Sequence, residues 1–315
     1  MDEPAPPVAE DIPLPPGLPE PAVPRLRLRW WQGMLAMLVA VVMLVIANVA
    51  VLVVIMLAEH GPSGVMAAVG NPQALISFPM LAAGQVANLL VFLVVAALFP
   101  FVASVPHRSA LGLSGAPAGT FLWGALGILG LGPLADRIVT TLKPYFPEQS
   151  SLEMIEAAIA GQPLWVLVPF LAVMPALGEE LLCRGVLQRS IPWPAVALPV
   201  SAVFFAALHM DPLHMAGVLP LGFYLAWLGH RTGSVWVPVF AHFTNNLAAT
   251  LAMHFSESTE LASTDELPLW AVPVGVLFTL VAATLLHARM RAAEAPAARP
   301  DTPAPEANDP SESPA

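Results

Sequence analysis

Eight long apolar runs with few charges inside them occupy the chain between residues 32 and 288, and they dictate what it can fold into. They cover residues 32–58, 74–103, 118–140, 162–183, 195–209, 215–229, 234–254 and 269–288. A helix of about 20 mostly apolar residues crosses a hydrocarbon core because its backbone satisfies its own hydrogen bonds in a medium that offers none. The fifth and sixth runs are short and are separated only by residues 210–214, which suits a tight hairpin that crosses incompletely. Only 11% of the 315 residues are charged and 57% are apolar, whereas a soluble globule carries more than twice that share of charge. The expected fold is all-α, a polytopic membrane protein built as a bundle of about eight transmembrane helices whose solvent is the lipid bilayer.

The net charge of −10 comes largely from the ends of the chain. Residues 1–24 hold five of the 22 acids, residues 294–315 hold five more, and the two tails together carry 15 of the 35 prolines. Such segments bury too little apolar surface to offset the entropy of ordering, so residues 1–24 and 291–315 read as disordered tails. Twelve basic residues that form no stripe exclude a nucleic-acid partner. Cytoplasmic loops accumulate Lys and Arg, and placing both termini in the cytoplasm puts ten of the twelve there, leaving Arg137 and Lys143 opposite. An integral, multi-pass protein of a bacterial inner membrane with both termini cytoplasmic is the expected placement. A single cysteine, Cys183, allows no internal disulfide. The Pro-rich acidic start is unlike a cleavable signal peptide, so the first membrane helix itself should direct insertion.

Ionisable groups inside a span cost about 2.5 to 3.5 kcal/mol each, so each needs a reason. The reasons converge on three segments. In the first, Glu180 and Arg184 stand one helical turn apart as an i,i+4 ion pair, while Glu179 points about 100° away. The two glutamates should therefore have different jobs. The second segment ends an apolar run with His209. The third places His242 and Asn246 one turn apart, with Pro238 four residues earlier suited to bending that helix. Glu179 and His209 can hold and deprotonate a water, and His242 and Asn246 can donate to a developing oxyanion. Glu179, His209 and His242 would equally suit a divalent metal such as zinc, and the sequence alone leaves both mechanisms open. No H-E-x-x-H helix is present. His214 and the other histidines near span ends read as interfacial; Asp211 and His214, near His209 across the hairpin, could line the outer end of the cavity, with a loop role favoured.

The runs E-E-L-L-C-R (179–184), F-A-A-L-H (205–209) and H-F-T-N-N (242–246) together resemble the CAAX-prenyl protease and bacteriocin-processing family of intramembrane proteases, which includes the type II CAAX endopeptidases. The resemblance covers about residues 162–254, the abortive-infection-type core. It implies an endopeptidase in which Glu179 and His209 activate the water, His242 and Asn246 form the oxyanion hole, and Glu180 and Arg184 support them. It also implies a site opening toward the cytoplasmic half of the membrane and laterally to lipid, and a membrane-anchored or lipid-modified protein or peptide as substrate.

The chain divides accordingly into the tail 1–24, N-terminal membrane helices over 25–161, the catalytic core 162–254, a loop and last helix over 255–290, and the tail 291–315. The competing readings are a non-catalytic membrane adaptor or bacteriocin self-immunity protein of the same fold and, less favoured, a proton-coupled transporter. The transporter would call for an internal repeat that the sequence lacks.

Overall fold

The computed structural model describes residues 27–70, 77–146, 151–256 and 267–294. Every regular element among them is helical. In chain order these are α1 (Trp30–Gly70), α2 (Phe78–Val102), α3 (His107–Leu111), α4 (Ala118–Tyr145), α5 (Ser151–Ile159) and α6 (Leu164–Ser190). The chain continues through α7 (Pro194–Ala207), α8 (Pro212–Thr232), α9 (Trp236–Ser256) and α10 (Ala271–Glu294). Over its described residues, each of the eight apolar runs coincides with one of these helices. Six are long and apolar enough to cross a membrane: α1 over Trp30–Glu59, α2, α4, α6, α8 and α10. The molecule is thus an all-α, polytopic integral membrane protein.

The two remaining runs differ in kind. With 21 residues α9 has the length, but it carries His242, Asn245 and Asn246. α7 has only 14 residues, about 21 Å of helix against a hydrocarbon core of about 30 Å. The sixth run, expected to be short, extends to the 21 residues of α8. The tails expected to be disordered lie outside the described residues, except that α10 continues through residues 291–294.

Burial sorts the helices. The apolar windows of α6 and α8 are each 44% buried, whereas that of α1 is 11% buried, so α6 and α8 form the centre and α1 lies at the edge. Leu38, Ile46 and Val54 on α1 stand outward, a surface that only lipid tolerates. Residues 181–188 of α6 are all buried. This helix is not uniform: Pro169–Val173 and Leu181–Leu187 widen to π geometry. Pro169 lacks the N–H that would close an α turn, and such bulges tend to sit beside functional residues.

Polar contacts gather several connections at one end of the bundle. Arg189 donates from Nε to the Ser109 carbonyl at 3.1 Å and from Nη1 to the Gly233 carbonyl at 3.2 Å. Val235 N–H donates to the Gly112 carbonyl at 2.9 Å, and Arg231 Nε donates to His287 Nδ1, also at 2.9 Å. The start of α1 joins them, because Gly33 abuts Ser190. Arg137, which donates to the Leu267 carbonyl, and Lys143, paired with Glu153 at 2.9 Å, mark the opposite end.

Candidate active site

The site is built from α6, α8, α9 and the turn between α7 and α8. α7 ends with His209 N–H donating to the Ala206 carbonyl at 3.1 Å, after which Met210 takes the left-handed conformation with φ 53°. Asp211 then caps α8, its Oδ1 accepting from Leu213 N–H at 2.8 Å and His214 N–H at 3.2 Å. This turn brings the His209 and His214 rings edge to face, 4.4 Å between centroids. At the other end of α8, Gly233 has φ 64°, a conformation natural to glycine, and it reverses the chain into α9. Because α9 starts at Trp236, Pro238 falls in its first turn, where a missing N–H leaves no bond broken. The bend expected there is not needed.

Glu179, His209, His242 and Asn246 all line one cavity of about 390 Å³, as do Asn245 and His214. Glu179 presents an Oε2 that is buried and unpaired among the described residues. Glu180 and Arg184 do not line the cavity but stand behind it. Glu180 Oε1 accepts from Arg184 Nη1 at 2.8 Å, and Arg184 Nη2 donates to the Gly222 carbonyl at 2.8 Å. The guanidinium also lies 4.5 Å over the Phe205 ring. The different placements of the two glutamates follow their 100° separation around α6.

The same Glu180 Oε1 lies 3.0 Å from His242 Nδ1. A carboxylate accepts, so Nδ1 carries the proton and His242 Nε2 has its lone pair toward the cavity side. Asn246 Nδ2 donates to that lone pair at 3.1 Å, and Asn245 Nδ2 donates to Asn246 Oδ1 at 3.2 Å. One chain of hydrogen bonds therefore runs from Arg184 and Glu180 through His242 and Asn246 to Asn245. His209 is fixed separately: its Nδ1 donates to the Phe205 carbonyl at 3.1 Å, leaving Nε2 as the acceptor.

His214, for which the sequence favours a loop or interfacial role over lining the outer end of the cavity, lines that cavity against His209. Among the described residues no group of three His, Cys, Asp or Glu side chains is placed to hold an ion. Both His242 nitrogens already have partners. Cys183 is fully buried and is not among the cavity's lining residues.

Sequence reasoning missed Asn48, Gln85 and Asn88, which line the cavity from α1 and α2. Their signal was visible. Asn48 is the only polar side chain between residues 33 and 58, and Gln85 and Asn88 are the only ones in α2.

The cavity also has a direction. From Glu179 it extends past His209, Met210 and Met253 to Ile155 on α5, which is the end of the bundle opposite Arg189 and Gly233. The start of α1 and the end of α10 lie at the Arg189 end, whereas the cavity extends toward the other.

Residues 161–248 match the family described as type II CAAX prenyl endopeptidase, Rce1-like. A protein of Bacillus subtilis (strain 168) named "Putative membrane peptidase YdiL" is 30% identical over 103 residues, which are 31% of this chain and 41% of that protein. The chain thus spans less than half the length of that relative. No solved structure matches. The core of this integral membrane protein is therefore Rce1-like in sequence over residues 161–248, and that core supplies Glu179, His209, His242 and Asn246 to one cavity.

Proposed function

We propose that the protein is a membrane endopeptidase that hydrolyses a peptide bond in a membrane-anchored or lipid-modified protein, with a water molecule as the nucleophile. The observation that carries this reading is the convergence of Glu179, His209, His242 and Asn246 on one cavity, backed by the buried Glu180 and Arg184 pair. The Rce1-like match over the same residues supports it.

Glu179, with a free carboxylate oxygen, and His209, with Nε2 as acceptor, hold the water and take its proton as it attacks the scissile carbonyl carbon. The carbonyl oxygen becomes an oxyanion and receives the second N–H of Asn246 Nδ2, the first being committed to His242. His242, its Nδ1–H held by the Glu180 carboxylate, accepts the first Asn246 N–H at Nε2 and so holds that amide oriented toward the oxyanion. Collapse of the tetrahedral intermediate breaks the C–N bond, and Glu179 returns the proton to the leaving amine.

With the termini cytoplasmic, as the charge bias favours, the cavity would face outward and call for a substrate whose cleavage segment reaches that face. The purified protein, incubated with membrane-anchored and prenylated peptides in ¹⁸O-labelled water, should cut one bond and leave a heavy oxygen in the new carboxylate. Failure to cut any member of such a panel would count against a protease and turn attention to the adaptor reading.

A further inference from the structure

A substrate cut inside or beside a membrane must be extended at the scissile bond, and an extended backbone exposes N–H and C=O groups that lipid cannot satisfy. The groups that could receive them stand next to the catalytic cavity. A second cavity of about 260 Å³, lined by Met80, Leu81, Gly84, Met154 and Ile155, adjoins the first across a shared row of amides: Asn48, Gln85 and Asn88. Within this row Asn48 Nδ2 donates to the Leu44 carbonyl at 2.9 Å and to Asn88 Oδ1 at 2.7 Å. Both Asn48 hydrogens are thereby used, and its Oδ1 remains an acceptor. Asn88 Nδ2 remains a donor, and the Gln85 amide forms no hydrogen bond among the described residues.

Fixing two helices together needs only the Asn48 to Asn88 bond. It does not account for Gln85, nor for a leftover donor and acceptor placed where two cavities meet. We propose that Asn48, Gln85 and Asn88 form a binding rail for an extended stretch of substrate backbone leading away from the scissile bond, each amide pairing with a peptide N–H or C=O. The apolar walls from Met80, Leu81 and Met154 would then take alternate side chains of that stretch. The inference rests on the peptidase reading for the identity of the occupant. It assigns recognition to α1 and α2, outside the matched core.

The test measures binding separately from cleavage. Fluorescent farnesylated and membrane-anchored peptides, and versions in which single backbone amides are replaced by esters, are titrated by anisotropy against full-length protein carrying Glu179→Gln, so that no peptide is consumed. The same titrations are repeated with Gln85→Met added, a change of similar shape that breaks no internal hydrogen bond. Gln85→Met should weaken binding of the all-amide peptide about two- to tenfold, the worth of one net hydrogen bond. At least one ester position should weaken binding with Gln85 present and have no further effect once it is Met. Equal sensitivity to every ester with and without Gln85, or no binding by any peptide, would overturn the rail. Ester-sensitive binding without cleavage by the wild type would instead keep the rail and remove the peptidase.

Discussion

Replacing Glu180 by Leu would strip Arg184 and His242 of the carboxylate oxygen they share, leaving a guanidinium buried without its counter-charge. Glu180 is fully buried and Arg184 nearly so, and breaking such a pair from one side costs about 3 to 5 kcal/mol. Glu180→Leu should therefore lower the thermal midpoint in detergent sharply and abolish activity with it. Asn246→Ala acts differently, because it removes a cavity-facing donor and leaves the ion pair intact. Its expected effect is a fall of about 10²- to 10³-fold in kcat with KM little changed, read from steady-state kinetics on a cleaved peptide. The Glu180 to Arg184 pair could be read from sequence, since four residues on a helix make neighbours. Its second partner could not, because His242 lies 62 residues away and becomes adjacent only when α9 packs on α6. Asn48, Gln85 and Asn88 were overlooked for another reason. The cost of burying charge singles out ionisable residues, and neutral amides fall beneath it.

Helix positions and types were open to sequence reasoning because lipid makes apolar length the governing variable, and each of the eight runs coincides with a helix over its described residues. The way those helices touch was not, since small-residue contacts depend on which helices meet. α4 and α10 cross so closely that a Cβ on Gly130 would stand 2.6 Å from the Gly275 carbonyl oxygen, with Gly275 similarly pressed against Gly130. Thr279 Oγ1 reinforces the crossing by donating to the Gly127 carbonyl at 2.8 Å. Backbone faces backbone there, so neither side can move aside as a flexible side chain would. Gly275→Ala should force the helices apart and cost about 1 to 3 kcal/mol, seen as a lowered thermal midpoint. Gly132→Ala is the control, with nothing within 4 Å of the added carbon. The π stretches of α6 were equally hidden, because the prolines mark a disturbance without fixing how the helix absorbs it.

For the molecule as a whole, the arginine-bearing connections near Arg189, Gly233 and His287 and the cavity near His209 and Met253 occupy opposite ends. Loop charge is legible in the sequence, but it takes the assembled bundle to show that the cavity extends away from the arginine-bearing connections. Green fluorescent protein fused at either terminus should fluoresce, and alkaline phosphatase fused there should be inactive. Active phosphatase at both ends would reverse the orientation and turn the cavity to the cytoplasm. The proposed chemistry depends most on the division of labour between two adjacent carboxylates, Glu179 lining the cavity and Glu180 buried behind it. The most direct measurement compares wild type with Glu179→Gln, reading peptide cleavage by mass spectrometry beside thermal stability in the same detergent. The expected result is an unchanged thermal midpoint with cleavage reduced by about 10²-fold or more. Cleavage at the wild-type rate by Glu179→Gln would contradict an activated water held by Glu179.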